Sequence, residues 1–377
     1  MSDAAAGERA QRAMQALLDE LVRDGSELGV QLTAYLRGAR VVDAWAGTAD
    51  PATGRAVDGQ TLFPVFSVTK GMTATVIHRL AERGRLRYDM PVAEVWPEFA
   101  KHGKGAITVR QVLSHTAGVH LLPAGLTEAQ LFDWAGMVKV VADLVPAYPP
   151  GERTVYHAMS WGWIVGEVAR RVDGRPIGQL IREEVCIPLG IEHDLFVGLP
   201  DAEAGRAAML EEIFAPGAEP AARDDGQPRE VPSALLPMHA RMNKPQWRRV
   251  CLPGSSGIMT ARAIAHHYAA LLSGGVDGVE LLRVNSVREA TRRHNPPNDP
   301  GASPETRSRG LGYALGGGAS EMGTRPSAFG HIGYGGSIGY ADPDHGLAVG
   351  LTKNRFSPRG ATVRMLRALR DALGVPQ

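Results

Sequence analysis

Ser67 and Lys70 stand three residues apart in the run Phe66-Ser67-Val68-Thr69-Lys70, directly after Phe63-Pro64-Val65-Phe66 and at the head of a helical pattern. Residues three apart share one face of a helix. A serine hydroxyl is a poor nucleophile until a neighbour takes its proton, and a lysine amine can do so once burial or a nearby cation lowers its pKa. The spacing thus supplies a nucleophile and a base within one turn, with the N–H groups of the helix start beside the place where an oxyanion would form. With 16 Ser and 6 Lys in 377 residues, chance gives about 0.25 pairs at this spacing. It occurs once in the chain, and alone it fits a serine capping a helix ahead of a solvated lysine just as well.

A second serine competes for the same role. Gly335-Gly336-Ser337-Ile338-Gly339 has the form GxSxG, and Asp342, Asp344 and His345 follow in the order Ser, Asp, His. A nucleophile elbow of that form needs a strand, a sharp turn and then a helix. Here Ser337 runs into a short strand, the turn ADPDHG and another strand, too few residues to bring a histidine around. The glycines read better as room for close backbone approach. Among the histidines, His115 reads as a structural residue ordering a buried loop, and His157 has no assigned task. His266-His267 lie on a helix without HExxH spacing or a third ligand, so no metal is expected. Trp161 and Trp163 read as core, while Trp247, Tyr334 and Phe356 are candidates for lining a pocket.

These side chains need a frame. Met14, Leu17, Leu18, Leu21 and Val22 repeat at helical spacing before Gly25, which predicts an amphipathic helix over 8–22. Two β-rich runs, 29–36 and 40–46, flank Arg37-Gly38-Ala39 and predict a hairpin, with a turn at 50–55. A helix is predicted over 70–83, ended by Gly84, and another over 260–272. Residues 201–232 contain a solvated loop at DDGQPRE, and 294–309 form a polar, Pro-rich loop. Short strands at 310–315, 328–332, 337–341 and 347–353 precede a final helix at 359–373. Strands near both ends enclose a mainly helical middle. The expected fold is α+β: an antiparallel sheet flanked by helices, built from the N- and C-terminal segments around a helical insertion. One composite domain over 1–377 is expected, with an α/β part at about 1–85 and 246–377 and a helical part at about 86–245.

Composition narrows the partners. Apolar residues make up 44% and charged residues 21%, and 41 Lys+Arg balance 40 Asp+Glu, which excludes a disordered chain and leaves no electrostatic case for nucleic acid. The acidic start MSDAAAGERA lacks a signal peptide's basic region and apolar run, and no window approaches the roughly 18 to 20 apolar residues needed to cross a bilayer. A soluble, cytoplasmic protein acting on a small molecule is expected. Cys186 and Cys251 cannot form a disulfide framework and read as reduced core thiols.

Four segments together resemble the serine β-lactamase and penicillin-binding protein superfamily, in particular class C β-lactamases and the esterases similar to them. Phe66-Ser67-Val68-Thr69-Lys70 is similar to the first motif, and Ile107 to Gly118 (ITVRQVLSHTAG) to the ITxxxLLxHTSG segment. Pro150-Gly151-Glu152 followed by Tyr156-His157-Ala158 resembles PG…YxN, and His331-Ile332-Gly333 leading into Gly335-Gly336 resembles the K/H-T-G motif. The order is the family's, and the resemblance covers most of the chain. It implies that Ser67 is acylated, that Lys70 and Tyr156 exchange the protons, and that the N–H groups of Ser67 and Tyr334 form an oxyanion hole. Either Tyr156 is the base, its pKa lowered by cations such as Lys70, or it relays protons while neutral Lys70 is the base.

The same resemblance marks Ala158, His331, Gly333, Tyr334 and Gly335 as substrate-binding positions, and two of them depart from the lactamases. Ala158 replaces an asparagine amide, and His331 replaces a lysine cation with a group mostly neutral at pH 7. Both departures point toward the esterases and transacylases of the family, as does the stretch YHAMSWGWIVGEVARRVDG from Tyr156 to Gly174. The expectation is a carboxylesterase acting on small esters through acyl-Ser67, without cofactor. The alternative is a transacylase that passes the acyl group to an amine or alcohol in natural-product biosynthesis. β-Lactamase or D-peptidase activity ranks below both. A non-catalytic binding protein is opposed by the intact Ser67, Lys70 and Tyr156.

Overall fold

Strand segments from the two ends of the chain meet in one sheet. The computed structural model describes residues 3–213, 226–297, 299, 308–317, 320–356 and 360–377. Its main sheet contains β1 (Gly29–Leu36), β2 (Ala39–Asp50), β3 (Arg55–Ala56), β8 (Ala314–Leu315), β9 (Phe329–Ile332), β10 (Ile338–Asp342) and β11 (Leu347–Lys353), in the order β3-β2-β1-β11-β10-β9-β8. Every neighbouring pair is antiparallel. The fold is therefore α+β, as its sequence pattern predicts, with N- and C-terminal strands joined where Leu32 faces Leu351 and Ala34 faces Val349.

Both faces of β1 are buried, and its period of two divides its side chains between two layers. Val30, Leu32, Ala34 and Leu36 pack with Ala10, Met14, Leu18 and Leu21 of helix α1 (Asp3–Arg23) and with Met365, Leu366 and Leu369 of the C-terminal helix Thr362–Leu373. Those α1 residues recur at the spacing of one helix face. On the other layer Tyr35 joins the larger core, and Gln31 donates to the Asp58 and Thr61 carbonyls while accepting from the Ala261 amide. Helix Ala261–Ala269 lies on this side against β1, β10 and β11. It comes so close that a Cβ on Gly339 would sit 2.3 Å from Ile264 Cγ2. Close helix approach thus accounts for the last glycine of GxSxG. Ser337 itself is buried, its Oγ accepts from the Lys353 amide at 3.3 Å, and a strand follows it.

A smaller sheet holds β4 (Phe63–Phe66), β5 (Leu195–Val197) and β7 (Gly257–Met259) in the order β4-β7-β5. It ties the segment ahead of Ser67 to the helical region and to the start of the last third of the chain. β6 (Glu211–Glu212) pairs in parallel with β12 (Arg355–Phe356). Between β4 and β7 the described chain is mostly helical, and helix Ser160–Asp173 buries Trp161 and Trp163.

Two predicted segments differ. The strand expected over 310–315 shrinks to Ala314–Leu315, because the Leu311 amide bonds the Ala290 carbonyl and the Gly312 amide that of Leu113, both outside the sheet. The loop expected over 294–309 buries its ends, Asn295 and Arg309, while 298 and 300–307 lie outside the described residues. Of DDGQPRE, Gly226, Gln227 and Pro228 are exposed, and Asp224 and Asp225 lie outside the described residues.

Candidate active site

The chain turns sharply between β4 and helix α2 (Thr69–Glu82), and Ser67 sits in that turn. Phe66 just before it has φ +47°, a left-handed conformation that is strained for a bulky side chain and persists only where its surroundings enforce it. Thr69 enforces it here, donating to the Phe66 carbonyl at 2.5 Å and accepting from the Gly257 amide of β7 at 2.8 Å. The N-cap position of α2 is Val68, with no side-chain cap. The Ser67 hydroxyl is therefore not spent on capping the helix.

Lys70 is fully buried, and its Nζ has three neighbours: Ser67 Oγ at 3.4 Å, the Ala158 carbonyl at 3.0 Å and the Gly254 carbonyl at 2.8 Å. The two carbonyls can only accept. A neutral amine donating to both keeps its lone pair for the Ser67 hydroxyl, which is the arrangement a general base requires. Burial pushes the Lys70 pKa down from its ordinary 10.5; Tyr156 opposes the shift and the Arg309 guanidinium adds to it. Ala158 enters the site through its main-chain oxygen, with no amide side chain to offer.

Tyr156 lies between Lys70 and Arg309. Lys70 Nζ is 5.0 Å from its ring centroid and the Arg309 guanidinium carbon 5.1 Å. The Tyr156 hydroxyl is buried without a partner among the described residues. Two histidines set the backbone around it. The His157 amide donates to His115 Nδ1 at 3.1 Å, His157 Nδ1 donates to the Val155 carbonyl at 2.6 Å, and His157 Nε2 accepts from the Val119 amide at 3.1 Å. Burial holds His115 well below its ordinary pKa and His157 down at about 3, so both are neutral scaffolding. Asn295 donates to Thr154 Oγ1 at 3.1 Å and accepts from the Arg309 amide at 2.9 Å, tying the Arg309 loop to the segment carrying Tyr156.

The far wall is the end of β9 and the turn after it. A Cβ on Gly333 would lie 2.1 Å from the Val65 carbonyl oxygen, so only glycine lets this turn meet β4. Inside the turn the Gly333 amide bonds Ser337 and the Gly336 amide bonds Gly333. Among the described residues the amides of Ser67 and Tyr334 donate to no backbone carbonyl. The Tyr334 hydroxyl donates to Glu212, and the rings of Tyr334, Phe66 and Phe356 meet edge-on with centroids 5.7 Å apart. Gly335 packs against Phe356. His331 is buried beside Tyr156, its Nδ1 2.8 Å from the Ile332 carbonyl. Trp247 is core instead, edge-on to Phe132 at 4.7 Å.

Ser67, Lys70, Tyr156 and Ala158 thus converge directly, with His331, Gly333, Tyr334 and Gly335 opposite. Sequence reasoning missed Thr69, the Gly254 carbonyl, Arg309 and Glu212. Gly254 acts through its backbone and leaves no side-chain signal, and Arg309 stands in a polar stretch without a motif. Cys186 and Cys251 are free, and burial pushes both thiols up to about 12. Among the described residues no group of three or more His, Cys, Asp or Glu could hold a metal, and no helix is long and apolar enough to cross a membrane.

Comparison with known proteins covers nearly the whole chain. The family model described as Beta-lactamase matches residues 14–373. The esterase/beta-lactamase LipL of Mycobacterium tuberculosis is 37% identical over 343 residues, spanning 87% of this chain and 77% of LipL. A family VIII carboxylesterase crystal structure superposes with TM-score 0.83 and 34% identity over 97% of each chain. A penicillin-binding protein homologue from Caulobacter crescentus gives TM-score 0.83 and 35% identity over 96% of this chain and 97% of its own. With a site of this composition on a fold shared from end to end, the chain belongs to the beta-lactamase family.

Proposed function

We propose that the protein is a serine carboxylesterase that hydrolyses small esters through a covalent acyl-Ser67 intermediate, with 1–377 working as one composite catalytic domain. The observation that carries this reading is Lys70 Nζ, buried, donating to two carbonyls and facing Ser67 Oγ at 3.4 Å. Lys70 takes the Ser67 proton as Oγ attacks the ester carbonyl, Tyr156 passes a proton to the leaving alcohol, and the N–H groups of Ser67 and Tyr334 hold the oxyanion. Ala158 and a neutral His331 offer no cation or amide to a lactam, which favours simple esters. The relatives named as esterases support the same direction. Two unpaired cysteines suit a cytoplasmic setting.

The second reading, transfer of the acyl group to an amine or alcohol, shares every step up to the acyl-enzyme. It differs only in what attacks next. The test is a short-chain p-nitrophenyl ester given to wild type, Ser67→Ala and Ser337→Ala, following nitrophenol release and intact mass. Release with an acyl adduct in wild type and Ser337→Ala, and neither in Ser67→Ala, is expected. Loss in Ser337→Ala with retention in Ser67→Ala overturns the assignment. Free acid as the product supports hydrolysis; an adduct that clears only with an added amine makes the enzyme a transacylase.

A further inference from the structure

Two buried polar atoms of the site lack partners among the described residues, the Tyr156 hydroxyl and His331 Nε2. Their rings are neighbours, with centroids 5.9 Å apart. The other nitrogen of His331 settles its tautomer. Nδ1 is 2.8 Å from the Ile332 carbonyl oxygen, which can only accept, so Nδ1 carries the proton. Burial, with the Arg309 guanidinium adding to it, holds the ring well below its ordinary pKa and keeps it neutral. Nε2 is then a bare lone pair, an acceptor with nothing to accept, beside a phenol that can both donate and accept. Buried acceptors are normally satisfied, so a hydrogen brought into the working site has a partner waiting in this one. An ester has no hydrogen to give. The nucleophile that clears the acyl-enzyme has.

We propose that His331 Nε2 accepts a hydrogen from the nucleophile attacking acyl-Ser67, and so selects nucleophiles that carry two hydrogens on the attacking atom. This rests on the reading of Ser67 as the acylated residue and of Lys70 with Tyr156 as the proton acceptor. When water attacks, its oxygen bonds the acyl carbon and one hydrogen passes to the Lys70–Tyr156 pair. As the acyl–Oγ bond breaks, that proton returns to Ser67 Oγ. The second hydrogen stays in the bond to Nε2 and leaves with the carboxylic acid. A primary amine has the same two hydrogens and leaves as an amide. An alcohol or a secondary amine has one, which the base takes, and Nε2 goes unpaired at the moment of attack. Leaving a buried acceptor unpaired separates otherwise similar substrates by about tenfold to a hundredfold.

Methoxyamine and N,O-dimethylhydroxylamine test this, because both are neutral near pH 7 and differ in having two N–H hydrogens or one. Each is added to wild type turning over p-nitrophenyl acetate, and the product ratio is divided by the ratio in uncatalysed aminolysis. Wild type should favour methoxyamine by about tenfold or more beyond the uncatalysed ratio. His331→Leu should lose that preference and hydrolyse about tenfold to a hundredfold more slowly. His331→Gln, whose amide oxygen can accept, should recover part of both. No excess preference in wild type, or an unchanged preference in His331→Leu, overturns the inference, and the wild-type ratio decides even if a variant does not fold. Nitrophenol release by Ser67→Ala at the wild-type rate would instead bring down the acyl-enzyme reading beneath it.

Discussion

Replacing Lys70 with methionine tests the central electrostatic argument in two independent ways. The side chain keeps its length and apolar stem, and it loses the amine that contacts Ser67 Oγ, the Ala158 carbonyl and the Gly254 carbonyl. Turnover should fall by about 10²- to 10⁴-fold, the usual contribution of a general base. Stability should respond to pH with a definite sign. The native Lys70 pKa is depressed below 10.5 by burial, so between the native value and 10.5 the unfolded chain holds a proton that the folded chain lacks. Unfolding free energy of wild type therefore rises with pH through that window, by about 1.4 kcal/mol per pH unit, and this contribution is lost as pH falls to the native pKa. Methionine carries no such proton. Urea midpoints of both proteins, taken at half-unit steps from about pH 6 to about pH 9.5, should show wild type gaining on the variant at that slope. At the high-pH end the variant also leaves two buried carbonyls without their donor, at about 1 to 3 kcal/mol each. Stability curves that stay parallel over the whole range would show that Lys70 keeps its proton in the native state, and the base argument would fail with it.

Two further outcomes are expected. Tyr156→Phe removes the orphaned hydroxyl but keeps the ring between Lys70 and Arg309, so kcat should drop by more than about 10²-fold with little change in thermal midpoint; a near-normal kcat removes the phenol from the proton path. Gly333→Ala places a methyl where the Val65 carbonyl oxygen lies 2.1 Å away, forcing the turn carrying the Tyr334 amide off β4. Its kcat should fall by about 10²-fold or more through the oxyanion site while the far-UV circular dichroism stays native, and full activity would show that the Tyr334 amide has no part in the reaction.

How much of this was legible beforehand follows from where the information sits. Period and punctuation placed β1 and β11 at 29–36 and 347–353 with their observed ends, because each strand is buried on both faces and bounded by turn residues. The same punctuation after Ser337 ruled out an elbow there. The 310–315 segment resisted, since its amides bond Ala290 and Leu113, residues distant in the chain that no local pattern announces. Ser67 and Lys70 stood out because one helical turn joins them, and the resemblance added Tyr156, Ala158, His331, Gly333, Tyr334 and Gly335.

Local pattern therefore accounts for the choice of side chains and for the one-turn geometry that pairs Ser67 with Lys70. Their chemical state comes from long-range packing. The Gly254 carbonyl reaches Lys70 across 184 residues of sequence, Arg309 comes in on a loop tied down through Asn295 and Thr154, and the Ile332 carbonyl sets which nitrogen of His331 is protonated. Protonation and hydrogen-bond direction depend on burial and on backbone groups, and every residue type carries the same backbone; their meaning arises only once the fold has chosen their neighbours.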